Sequence, residues 1–225
     1  CDPGGFYVDP WHPVDRPVVT HAHSDHARWG CGSYLTALPG AALLRERLGG
    51  QMTILGVPYG ESVEVGGVLL SLHPAGHLLG SAQVRIEHRG EVWVVSGDYK
   101  LDADATCEPF EPVKCQVFLT ESTFGLPIYR WRAPEEVFAE INAWWETNQK
   151  SGRTSVLFAY ALGKAQRLLA GIETSLGPVV VHGAVGRMTA AYTAAGVRLP
   201  EVYQAEPQWI RAVRGRGLVL APPSA

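Results

Sequence analysis

Short alternating runs separated by turn signals fill the first half of the chain. Alternation and β-branched content predict strands over 6–8, 18–20, 34–36, 53–55 and 68–72. Gln83-Val84-Arg85-Ile86-Glu87 alternates polar and apolar, His88-Arg89-Gly90 has turn chemistry, and 91–96 returns, so a hairpin is expected. A last strand of this half is expected over 116–120. The clearest helix spans 39–48, with Pro39 at its start and Gly49-Gly50 at its stop. Many strands with helices outside them fit a two-sheet sandwich flanked by helices.

Beyond about residue 124 the rhythm changes. Pro134-Glu135-Glu136 opens a helix with acids at the positive end of its dipole, and Val137, Ile141, Trp144 and Trp145 fall on one face, read as core. The apolar run 155–159 predicts a strand buried on both faces. Helix follows over 163–172, with Ala165, Leu168, Leu169 and Ile172 as its stripe, then strand over 178–181, helix over 188–195 and strand over 217–221. Alternating helix and strand predicts a parallel α/β sheet. A boundary in Ser122-Thr123-Phe124-Gly125-Leu126-Pro127 divides the chain into expected domains 1–124 and 125–225.

Composition adds bounds. Of 225 residues 46% are hydrophobic and the formal net charge is −3, the profile of one or two globular domains with enough core to fold without covalent staples. No run of about 18 apolar residues and no signal peptide occur, so the expectation is a cytoplasmic protein with no membrane partner. Cys1, Cys31, Cys107 and Cys115 form no Cys-x-x-Cys pair and read as reduced thiols. The charge is divided unevenly. Residues 1–124 carry 8 Lys and Arg against 15 Asp and Glu, whereas 125–225 carry 11 against 7. An acidic half suits a cation site, and a basic half suits a polyanion clamp.

The candidate chemistry centres on His21-Ala22-His23-Ser24-Asp25-His26, directly after the apolar run Pro17-Val18-Val19. Residues two apart at a strand end share a side, so His21 and His23 can offer imidazoles to one ion. Asp25 and His26 follow the turn and can face a second ion. Imidazole nitrogen and carboxylate oxygen are the usual non-thiolate ligands of zinc. His77 lies between Gly76 and Gly80, which permit close backbone approach, and Asp98 ends an apolar strand where a carboxylate could bridge two ions. Ser81 beside His77 is read as a turn residue, and His12, His73 and His88 as structural or surface residues.

This order of motifs resembles the metallo-β-lactamase superfamily. The resemblance implies one metal on His21, His23 and His77, another on Asp25 and His26, Asp98 between them, and Asp9 in Phe6-Tyr7-Val8-Asp9-Pro10 orienting a ligand from behind. Glu121 in Thr120-Glu121-Ser122-Thr123-Phe124-Gly125 is similar to the acidic motif A of the β-CASP branch, whose members cut DNA or RNA and carry an α/β cap inserted at about this point. Segments 1–9, 74–83, 95–100, 120–132 and 218–225 further resemble the bacterial ligase-associated DNA exonucleases.

The fold class implied is α/β: an αββα metallo-β-lactamase sandwich, 1–124, with a β-CASP cap, 125–225. Relatives continue with two more histidine motifs, which 225 residues do not reach, so the cap is expected to be incomplete and the chain truncated at its C-terminus; beginning at Cys1, it is expected to lack its natural start as well. His182 takes neither missing role.

The function implied is a metal-dependent DNA exonuclease acting in repair. Two divalent ions, zinc with manganese as the alternative, would activate a shared water that attacks phosphorus. Asp25, Asp98 and Glu121 are the implied catalytic acids, and functional association with a DNA ligase is implied too. Tyr129-Arg130-Trp131-Arg132 interleaves stacking and basic side chains as single-strand grooves do, which makes Arg130, Trp131 and Arg132 candidate nucleic-acid contacts, together with Lys164 and Arg167 and with Arg211, Arg214 and Arg216. An RNA-processing nuclease of the same branch and a catalytically silent scaffold are the competing expectations.

Overall fold

A computed structural model describes all residues, 1–225, as a mixed α/β chain with three sheets. It divides into two compact units, Cys1–Thr123 and Phe124–Ala225.

In the first unit, β1 (Tyr7–Val8), β2 (Pro17–Val18), β3 (Ser33–Ala37) and β4 (Thr53–Val57) form a parallel sheet in sequence order, with α1 (Ala41–Leu48) between β3 and β4. The second sheet runs β5 (Ser62–Val65), β6 (Val68–Pro74), β7 (Ala82–His88), β8 (Glu91–Val95) and β9 (Val117–Leu119). It is antiparallel except for β9, which lies parallel to β8. The expected hairpin is β7 and β8, closed by His88 opposite Glu91.

One buried cluster draws on both sheets: Phe6, Val18, Ala37 and Val57 meet Val68, Leu70, Leu72, Ala82 and Val84. Removing this apolar surface from water is what joins the two layers, at roughly 25 cal/mol for each Å² buried. The strand ends that emerge from this core carry the candidate ligands.

The second unit starts with α2 (Pro134–Lys150) and continues through β10 (Ser155–Phe158), α3 (Lys164–Gly171), β11 (Val179–Val181), α4 (Gly183–Ala194), β12 (Tyr203–Gln204), α5 (Pro207–Val213) and β13 (Leu218–Ala221). Its sheet is wholly parallel in the order β10-β13-β11-β12. Trp145, Leu169, Val179, Val181, Leu218 and Leu220 form its core.

Two expectations for this unit need correction. β10 is not buried on both faces: it is an edge strand, so Val156 and Phe158 stand exposed while Ser155 is buried. Trp144 is not core either. It is 39% exposed and turned away from the stripe that buries its neighbour Trp145, because successive helical residues stand about 100° apart. The strands β5 and β12 and the helix α5 were not anticipated. No helix is long and apolar enough to cross a membrane.

Candidate metal centre

β1 ends at Val8 and is followed by Asp9, which adopts a left-handed conformation with φ 46°. A non-glycine residue there is uncommon, although Asp tolerates it better than most. The turn brings the Asp9 carboxylate against the end of β2. Asp9 Oδ1 accepts from the Thr20 backbone N–H at 2.8 Å, and Oδ2 accepts from Thr20 Oγ1 at 2.6 Å and from His26 Nδ1 at 2.7 Å.

This network assigns the tautomers. Thr20 has given its only hydroxyl proton to Asp9, so at 3.1 Å it accepts from His21 Nδ1–H, leaving the lone pair of His21 on Nε2, directed at His23 and the other donors. One carboxylate thus fixes two imidazoles, one directly and one through a hydroxyl. The resemblance implies that Asp9 orients a ligand; its reach to His21 through Thr20 has no counterpart in that expectation.

His21 Nε2 lies 3.0 Å from His23 Nδ1 and 3.7 Å from Asp98 Oδ2; His77 Nε2 lies 3.3 Å from His23 Nδ1 and 3.4 Å from the same Asp98 oxygen. All four donors fall within 4.8 Å of one another. Four ligands about 2.0–2.1 Å from a tetrahedral zinc stand roughly 3.3–3.4 Å apart, so this donor set fits such an ion.

Burial, and then the positive charge of His26, His23 and His77, drives His21 well below its ordinary pKa. His77 falls to about 4, mainly by burial and then by His23, against the opposing pull of Asp98. Both are neutral at pH 7, as ligation requires.

A second group shares Asp98. Its other oxygen, Oδ1, is 3.7 Å from His26 Nε2, and Glu121 Oε1 is 3.9 Å from that nitrogen, so His26, Asp98 and Glu121 make another cluster that could hold an ion. Burial lowers the His26 pKa, but its hydrogen bond to Asp9 and the charges of Asp9, Asp98 and Asp25 outweigh this and raise it to about 9. Glu121 is raised by burial, by repulsion from Asp98 and by a hydrogen bond with it.

Asp25, expected in this group, stands at its rim: its Oδ2 is 3.7 Å from His26 Nε2 and its side chain is largely exposed. Glu121, implied by the resemblance as a catalytic acid, presents its carboxylate beside His26 and Asp98.

Glycines permit this convergence. Gly97, with φ 54°, precedes Asp98, and a Cβ there would lie 2.8 Å from Thr20 Cβ and Oγ1. Gly80, with φ 76°, would press a Cβ to 2.1 Å from Gly40 Cα. Ser81 is a turn residue as expected: its Oγ accepts from the backbone N–H groups of His77 and Leu78.

A cavity of about 360 Å³ opens beside the second group, lined by Asp9, Asp25, His26, Glu121 and Trp11 among others. Trp11 was missed in the sequence. Its signal was an aromatic residue held in the proline-flanked turn Pro10-Trp11-His12-Pro13, two residues past Asp9.

The other candidate contacts belong to the second unit. Tyr129 and Trp131 are exposed with near-parallel rings, 9° apart, and Phe124 stands edge-on to both. Arg130 is exposed, but Arg132 is engaged by Glu136 and Glu140. Lys164 lies over the Tyr160 ring, and Arg167 is half-buried on α3. His182 caps α4, its Nδ1 accepting from the Ala184 N–H.

No protein-family profile matches the chain. It is 32% identical over 224 residues to a protein of Opitutus terrae named "Probable DNA ligase", covering 98% of this chain but 21% of that protein. Over 115 residues, half of the chain, it is 32% identical to Endoribonuclease ysh1 of Schizosaccharomyces pombe. Over 117 residues it is 32% identical to Cleavage and polyadenylation specificity factor subunit 3 of Dictyostelium discoideum. Each match covers 15% of the relative. The chain therefore spans about a fifth or less of the length of these relatives. Among solved structures, a protein of unknown function from Enterococcus faecalis V583 shares the fold with TM-score 0.64 and 14% identity, over 91% of this chain and 58% of that one. The sequence likenesses to the named relatives are consistent with the superfamily resemblance read from the motifs.

Proposed function

We propose that this chain is the nuclease part of a metal-dependent DNA exonuclease of the metallo-β-lactamase superfamily, β-CASP branch, working beside DNA ligation in repair. The observation that carries the reading is Asp98, whose two carboxylate oxygens face different donor groups: Oδ2 faces His21 and His77, and Oδ1 faces His26. His21, His23 and His77 would hold one divalent ion, and His26 and Glu121 another, with Asp98 between and Asp25 at the rim. When bound, such ions, zinc or alternatively manganese, supply Lewis acidity toward phosphate oxygens and a nucleophile at neutral pH.

The chain's own groups prepare the site. Asp9 keeps the Nδ1 proton of His26 and, through Thr20, that of His21, so both Nε2 atoms point inward. Cations are needed on electrostatic grounds as well, because Asp9, Asp25, Asp98 and Glu121 would otherwise repel a phosphodiester. Arg130 and Trp131 suit a strand's phosphates and bases. Likeness along nearly the whole chain to a protein named for ligation supports DNA as substrate.

The likeness to endoribonucleases over half the chain favours a second reading, an RNA-processing nuclease of the same branch. End-labelled DNA and RNA strands of one sequence, incubated with Zn²⁺ or Mn²⁺, separate the two. The first reading expects nucleotides released from DNA ends and no release by His23→Ala. Faster cleavage of RNA would transfer the assignment to the second, and no cleavage of either strand would make the chain a silent scaffold.

A further inference from the structure

The rim of the candidate centre holds an indole whose exposure packing does not explain. Trp11 is 71% exposed although it lines the cavity beside Asp25, His26 and Glu121. A free side chain of this kind would be expected to fold onto apolar surface, since aromatic residues gain most from burial. It is instead held in place by Arg28, whose guanidinium carbon lies 4.6 Å from the ring centroid. Arg28 Nε is buried with no acceptor, so the aromatic face, rather than a carboxylate, keeps this cation where it is.

Both side chains are fixed by their place in the chain. Trp11 follows Asp9 by two residues and Arg28 follows His26 by two, and Asp9 and His26 are hydrogen-bonded to each other. The pair is thus registered to the donor groups themselves. With Arg28 on one side, the ring remains largely open, next to a cavity that the proposed reading assigns to a phosphodiester.

We propose that Trp11, backed by Arg28, is a stacking platform for a nucleobase of the strand entering this cavity. The inference rests on the nuclease reading for its substrate class. Stacking on a π-face is available to every base and is independent of the acidic charge around the cavity, so it gives sequence-tolerant hold on the strand. Arg28 is a positioning residue: it orients the ring and leaves a positive charge near the strand's phosphates.

The test compares a short oligothymidylate with an abasic strand of the same length and charge. Affinity is measured by fluorescence anisotropy in Mn²⁺ with cleavage-resistant phosphorothioate versions of both strands, and hydrolysis in Mn²⁺ with the phosphodiester strands. Wild type should bind the base-bearing strand more tightly. Trp11→Ala should weaken that strand roughly 5- to 150-fold and the abasic one little, with Trp11→Phe retaining most of the preference. Arg28→Ala should reduce the preference less than Trp11→Ala does.

Equal loss on both strands, or none on either, overturns the platform. If hydrolysis persists while Trp11→Ala keeps the full base preference, the platform fails alone. If the preference depends on Trp11 but no strand is ever hydrolysed, the nuclease reading fails and the platform stands.

Discussion

Replacing Asp9 by Asn should uncouple His26 from pH. In the metal-free chain His26 is raised from 6.5 to about 9, even though its burial acts in the opposite direction, because Asp9 holds Nδ1 at 2.7 Å and Asp98 and Asp25 add attraction. A folded-state pKa above the unfolded one means stability that is fully present below pH 6.5 and is lost as pH rises through 9. Complete expression of the shift would be worth about 3 kcal/mol. Asp25 is mostly exposed and solvent screens it, so on the order of 1–2 kcal/mol is expected.

Urea unfolding in chelator should therefore show wild type less stable at pH 9.5 than at pH 6 by that amount. Asp9→Asn should remove most of the difference. Asn tolerates the left-handed backbone at this position, so the substitution tests charge rather than conformation. An ion taken up on His26 Nε2 must also displace its proton, so loading at pH 7 should release about one proton per chain in weak buffer. A His26 that titrates near 6.5 in wild type, or an Asp9→Asn chain with unaltered pH dependence, would refute this reasoning.

Other expectations follow from packing. Gly97→Ala combines a left-handed alanine, about 1–2 kcal/mol, with a contact that pushes on buried Thr20, about 1–3 kcal/mol; calorimetry should find a loss of roughly 2–5 kcal/mol, and a loss below about 1 would show that the turn can relax. Trp145→Ala should cost about 3–5 kcal/mol, since the indole is fully buried and its Nε1 donates to the Arg216 carbonyl at 3.1 Å. Its exposed neighbour provides the control: Trp144→Ala should cost under about 1.5 kcal/mol, and equal costs would contradict the helix orientation.

Local rules made part of this molecule legible. The 83–96 hairpin is visible because turn residues separate an alternating run from an apolar return run, and it forms with His88 opposite Glu91. Gly76 and Gly80 were read as places of close approach, and both take positive φ with backbone where a Cβ would stand. Non-local facts were not legible. The last strand, β13, lies between β10 and β11, and nothing in an apolar run states which neighbours it will have or that β10 will be left at an edge.

The same limit applies to the candidate centre. The spacing of His21, His23 and His26 presents them as a set, but Glu121 among the donors depends on β9 pairing parallel with β8, a long-range event. Trp144 was misread because helical periodicity defines a stripe whose edge residues can fall on either side of the solvent boundary.

The central claim is that Asp98 joins two ion sites, and elemental analysis of the purified chain after loading with Zn²⁺ and removal of the excess tests it most directly. The account predicts two ions per chain for wild type and one or none for Asp98→Asn. Two ions retained by Asp98→Asn, or none bound by a folded wild type, would contradict it.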